Sequence, residues 1–118
     1  MPVNILVADD DKSMLGLYSR IFSGKEYSIV LTESFTEAAD LIKNNNYDLL
    51  VTDLMFPDGV GTELVKLFEK KRAGAKSLLV TGAVPVDDTL RKSGAVAYFE
   101  KPFKVESFMA AVAEAVKA

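Results

Sequence analysis

The chain has 118 residues, 49% of them hydrophobic, which suits one domain able to bury its own core and leaves no room for a second. Fourteen basic against seventeen acidic residues give a net charge of -3 with no basic stripe, which argues against direct nucleic-acid binding. The absence of cysteine and histidine excludes disulfides, thiol chemistry, an imidazole base and an imidazole metal ligand, leaving carboxylates, hydroxyls, amines and backbone.

The first predicted strand, Asn4 to Ala8, runs straight into three carboxylates, Asp9, Asp10 and Asp11. Adjacent anions repel, and burial penalises each further, so something positive is expected to bind here. Asp11 reads more simply as the start of a helix, where its charge favours the positive end of the dipole. That helix carries Met14, Leu17, Tyr18, Ile21 and Phe22 at helical spacing and stops at Gly24.

A second strand, Tyr27 to Thr32, leads to Ser34 and Glu37, read as a capping box opening a helix with Ala38, Leu41 and Ile42 inward and Asn44 to Asn46 as its stop. The third strand, Asp48 to Thr52, ends against Asp53, and Gly59 and Gly61 read as turn residues before a helix carrying Leu64, Leu67 and Phe68. That helix closes in "EKKRAG", where Lys70, Lys71 and Arg72 read as a solvated end that complements the dipole. The fourth strand, Ser77 to Thr81, precedes a weaker helical segment from about Asp87 to Ser93. The fifth, Val96 to Glu100, precedes Lys101, Pro102 and a final helix with Phe108, Val112, Ala115 and Val116 inward.

Five repeats of strand then helix argue for a parallel sheet covered on both faces. Ligands of such sheets bind outside the carboxyl ends of the strands, where Asp9, Asp10, Asp53, Thr81 and Lys101 would share one rim. Mg2+ takes oxygen ligands of this kind. Asp10 and Asp53 are placed to ligate it directly, with Asp9 acting through water. A phosphoryl group added to Asp53 would be met by the cation, Lys101 and the Thr81 hydroxyl.

With these residues in hand, the chain resembles the receiver domain of bacterial two-component response regulators, chemotaxis regulators among them, over residues 1–118 as a single domain. The resemblance rests on the acid pair in "LVADDDKSM", the aspartate in "LLVTDLMFPDGVG", the hydroxyl in "LLVTG" and the late "AYFEKPF". It implies a flavodoxin-like α/β fold with strand order 2-1-3-4-5, and a cytoplasmic signalling module. It implies that Asp53 accepts a phosphoryl group from a sensor histidine kinase, a phosphotransfer protein or a small acyl phosphate, with Mg2+ as cofactor. The metal set it implies is Asp9, Asp10, Asp53 and the backbone carbonyl of Met55. It also implies that Thr81 and Lys101 bind phosphoryl oxygens, that Thr81 and Tyr98 form the conformational switch, and that a cis peptide bond precedes Pro102.

Departures from the family pattern carry further expectations. The segment "GAVPVDDTLRKSG" is short and interrupted by Pro85, which puts the helix there and its output face in question. Met55, two after Asp53, and Ala83, two after Thr81, are both apolar and neither orients an attacking water, so autodephosphorylation is expected to be slow. "DLMFP" is similar to DNA-binding regulators, yet the final helix lacks the arginines of their dimer face, so a monomer is expected. A phosphatase working through an aspartyl phosphate would need a second acid where Met55 stands, so a turnover enzyme is not expected. The alternative is a degenerate receiver acting as a phosphorylation-independent interaction module, against which stand intact Asp10, Asp53, Thr81 and Lys101.

Overall fold

The computed structural model describes residues 2–82 and 93–117. In chain order the elements are β1 (Val3–Ala8), α1 (Lys12–Ile21), β2 (Tyr27–Thr32), α2 (Phe35–Asn44), β3 (Leu49–Asp53), β4 (Met55–Phe56), β5 (Gly59–Val60), α3 (Gly61–Lys71), β6 (Lys76–Thr81), β7 (Ala97–Glu100) and α4 (Val105–Ala115). The main sheet runs β2-β1-β3-β6-β7 with every neighbour parallel. This is the expected order 2-1-3-4-5 once the two-residue strands β4 and β5, an antiparallel pair absent from the sequence reading, are set apart. The expected helix from about Asp87 to Ser93, with Pro85 before it, lies outside the described residues except for Ser93.

Side-chain alternation along the strands divides the core in two. Leu6, Leu50 and Leu79 face one way, into a cluster with Ala38 and Ile42 of α2 and Leu64 and Phe68 of α3. Ile5, Val7, Leu49, Val51, Leu78 and Val80 face the other, against Tyr18 and Phe22 of α1 and Phe108 and Val112 of α4. β3 is buried at all five positions, as a central strand covered on both faces must be. Each fully buried leucine or valine contributes about 1.5–3 kcal/mol, so these two clusters dominate the stability of the fold.

The crossover through α1 covers one face and that through α2 the other, so successive connections part between β1 and β3. Such a switch point opens a crevice at the carboxyl ends of the two strands. Asp9 follows β1 and Asp53 closes β3 at that point. Among the described residues no helix is long and apolar enough to cross a membrane.

Candidate metal and phosphoryl site

β1 delivers Asp9 to the rim with no exposed surface, its Oδ1 accepting the Asp11 N–H at 2.9 Å. β3 delivers Asp53, 8% exposed, whose Oδ1 accepts the Leu54 N–H at 2.8 Å. Lys101 follows β7, anchored by its own N–H donating to the Thr81 carbonyl at 2.7 Å, and the Lys101–Pro102 peptide bond is cis as expected. From there the Lys101 ammonium reaches Asp53 Oδ2 at 3.2 Å and Asp9 at 3.0 Å from Oδ2 and 3.3 Å from Oδ1. One ammonium from the end of β7 thus serves two buried carboxylates from the ends of β1 and β3.

Asp10 stands exposed beside them, and oxygens of Asp9, Asp10 and Asp53 lie within 4.8 Å of one another. Asp10, Asp53, Met55, Thr81 and Lys101 line an open concavity of about 660 Å³. Every predicted metal or phosphoryl residue is therefore placed at one rim. Asp11, which also borders that concavity, is the N-cap of α1, accepting from Ser13 Oγ at 2.7 Å and Ser13 N at 2.9 Å, and these bonds hold its carboxyl below the usual range. Tyr98 lies on β7, half-exposed, opposite Leu79 in register and on the same sheet face as Thr81.

Burial is the largest influence on Asp9 and pushes its carboxyl up to about 6, against the Asp11 N–H and Lys101, while the Asp53 charge pushes the same way. For Lys101 burial alone would lower the ammonium, but hydrogen bonding and charge from Asp9, then from Asp53, outweigh it and hold it above its ordinary value. Tyr18, buried below the rim, is raised by burial and then by the charges of Asp9, Asp53 and Asp11. Negative charge therefore exceeds positive here. Asp9 Oδ2 sits close to Lys101 but receives no well-directed hydrogen bond, leaving a buried lone pair open. An all-oxygen donor set, surplus charge and an open acceptor fit a hard divalent cation.

Two positioning features escaped the sequence reading. Gly61 is the first residue of α3 rather than a turn residue, and its N–H donates to the Leu54 carbonyl at 2.6 Å. A Cβ there would overlap the Asp53 carbonyl oxygen, so glycine is what lets α3 abut the end of β3. Asp58, in the turn between β4 and β5, accepts from Phe35 N at 3.1 Å and Thr36 N at 3.0 Å, capping α2 from outside. The capping box forms by half: Ser34 Oγ accepts the Glu37 N–H at 3.1 Å, whereas the Glu37 carboxylate takes the Thr32 hydroxyl. Neighbouring residues compete with the local pattern, and spacing alone carries no sign of that competition.

The chain matches the response regulator receiver domain family over residues 5–113. It is 35% identical over 112 residues to the response regulator MprA of Mycobacterium sp. (strain KMS), covering 93% of this chain and 49% of that one. The chain thus spans about half the length of the curated relatives it matches. A receiver domain protein from Methanospirillum hungatei JF-1 superposes with a TM-score of 0.90 at 28% identity, covering 98% of this chain and 94% of that one. A response regulator from Burkholderia pseudomallei, solved with a phosphorylated aspartic acid, a calcium ion and citrate, gives 0.81 at 27% identity over 92% of this chain and 65% of that one.

Proposed function

This chain belongs to the response regulator receiver domain family of two-component systems, and from that premise we propose that Asp53 is its phosphoacceptor, with Mg2+ as cofactor. The observation that carries the reading is the buried Asp53 carboxylate, held at 3.2 Å by Lys101 beside the open acceptor of Asp9. The phosphorylated aspartic acid and calcium ion of the Burkholderia pseudomallei regulator support it.

The donor is the phosphohistidine of a sensor kinase or phosphotransfer protein, or a small acyl phosphate. An Asp53 carboxylate oxygen forms the new O–P bond as the donor's bond to phosphorus breaks: the imidazole nitrogen leaves with the N–P electron pair and takes a proton from solvent, or the carboxylate of an acyl phosphate leaves with the pair of its O–P bond. The residues that would hold Mg2+ are Asp9, Asp10, Asp53 and the Met55 carbonyl. When bound, the ion neutralises charge on the phosphoryl oxygens. Lys101, already at hydrogen-bond distance from Asp53, turns to one phosphoryl oxygen and the Thr81 hydroxyl to another.

Moving Thr81 shifts the sheet face it shares with Tyr98, and the two populations of that face are the signal. Water then attacks the phosphorus, the O–P bond to Asp53 breaks, and the free carboxylate and inorganic phosphate result. Met55, 59% exposed, offers no group to orient that water, so the phosphoryl group persists; Ala83, the other position concerned, lies outside the described residues. A half-life of seconds with Mg2+ present counts against this persistence. The domain is a monomeric cytoplasmic switch rather than a turnover enzyme.

Intact-mass spectrometry after incubation with acetyl phosphate and Mg2+, beside Asp53→Asn and an EDTA control, tests the reading. One phosphoryl adduct that vanishes in both controls is expected. No adduct under any condition overturns it in favour of a phosphorylation-independent interaction module.

A further inference from the structure

α2 and α3 lie together on one face of the sheet, and the stripe where both meet solvent is left unfilled. Phe35 and Ala39 of α2 and Leu67 of α3 floor a groove of about 430 Å³, continuous with the core beneath. Lys43 from the last turn of α2 and Lys66 and Lys70 from α3 stand around it, exposed, with Glu63 the one carboxylate in the lining. A chain of net charge -3 thus gathers three cations on one apolar recess.

Their neighbours show that this is not merely a basic helix end. Lys71 is committed to three backbone carbonyls, those of Ile42, Lys43 and Asn45, and Arg72 to the Tyr47 carbonyl and Asp48. Among the described residues Lys43, Lys66 and Lys70 form no ion pair. Lys66 and Lys70, at i and i+4, repel each other. The complement of such a surface is an apolar anchor flanked by carboxylates, as helix-pair grooves take side-chain anchors and charged rims select the partner.

We propose that the α2–α3 groove docks an acidic segment of a partner protein, its aliphatic or aromatic anchor entering between Phe35, Ala39 and Leu67 while its carboxylates meet Lys43, Lys66 and Lys70. A small anion would leave the apolar floor unused, and a recess between two helices receives a single side chain better than a flat lipid surface. No groove residue lines the carboxylate concavity, so the docking does not rest on phosphoryl acceptance at Asp53.

The test is selection from a phage library of short random peptides on the intact protein, with Lys66→Glu/Lys70→Glu as counter-target. Enriched peptides are expected to carry Asp or Glu around Leu, Phe or Trp and to shift the amide resonances of Phe35, Ala39 and Leu67. They should lose about tenfold or more in affinity for the charge-reversed variant, whose folding is checked by circular dichroism, and should bind Asp53→Asn as well as wild type. No enrichment, enriched peptides without acids, binding that survives charge reversal, or shifts elsewhere would overturn it. Groove-dependent sedimentation with phosphatidylserine vesicles, without peptide enrichment, would overturn it in favour of a lipid surface.

Discussion

At the amino-terminal end of the strands Lys71 donates to three carbonyl oxygens at 2.7–2.9 Å, and Asp48 accepts the Asn4 N–H at 2.8 Å. At the carboxyl end the Lys101 ammonium stands between Asp9 and Asp53, and Asp10 adds a third carboxylate nearby. The first arrangement ties the last turn of α2 to α3 by giving orphan carbonyls a donor, which is structural work. Its one side-chain ion pair, Arg72 with Asp48 at 3.4 Å, is largely exposed and adds little. The second leaves buried charge under-compensated, which costs stability and is kept where a ligand supplies the difference. Charges answered by backbone hold the fold, and charges answered by too few partners mark the site.

That contrast breaks if removing a carboxylate at the rim weakens the fold. Asp9→Asn keeps the acceptor for Asp11 N–H while deleting a fully buried charge. In EDTA at neutral pH the variant should be more stable than wild type by roughly 1–3 kcal/mol in urea unfolding. The sign follows from the raised carboxyl: Asp9 is best tolerated protonated, below 3.8, and the folded state loses that advantage as pH rises through about 6. The same variant should accept phosphoryl groups from acetyl phosphate about tenfold to a hundredfold more slowly, read by mass spectrometry over time. A variant both less stable and equally reactive would end the comparison.

Gly61→Ala sharpens it by separating charge from packing at the rim. The added methyl meets the Asp53 carbonyl, so unfolding should cost about 1–3 kcal/mol less and phosphoryl acceptance should fall with it. At the other end, Lys71→Met removes three hydrogen bonds and should destabilise by about 1–2 kcal/mol in urea, with phosphoryl acceptance unchanged. The two variants thus lower stability alike and part on reactivity.

The five strands were legible because near-continuous apolar runs leave little choice of period, and their ends fall within one residue of the structure. The rim residues were legible because a polar residue ending such a run has its direction set by the strand. What sequence did not carry are contacts between segments distant in the chain. Lys71 complements the carboxyl end of α2 rather than of its own helix, and Glu37 turns to Thr32 instead of closing its box. Both outcomes depend on which helix lies beside which, and that is decided by packing of the two apolar clusters. Gly61 escaped because a turn glycine and a close-approach glycine look alike in sequence.

Asp58 joins the two ends of the comparison, since it belongs to the turn after Asp53 yet answers backbone N–H groups as Lys71 answers carbonyls. Hydrogen bonds from Thr36, first its N–H and then its hydroxyl, with that of Phe35, hold its carboxyl below the usual range. A depressed folded value means the cap stabilises above the unfolded value of 3.8 and is lost as pH falls through the folded one. Asp58→Ala should therefore melt lower than wild type at neutral pH, with the gap closing as pH drops below about 4, because the wild-type carboxyl is then neutral as well. Thermal melts by circular dichroism across that window read the gap directly. Since Gly59, which opens β5 directly after this turn, approaches the Phe35 ring closely, loosening this cap should also weaken any peptide bound in the α2–α3 groove. A pH-independent gap would mean that Asp58 acts through turn geometry and not through its charge.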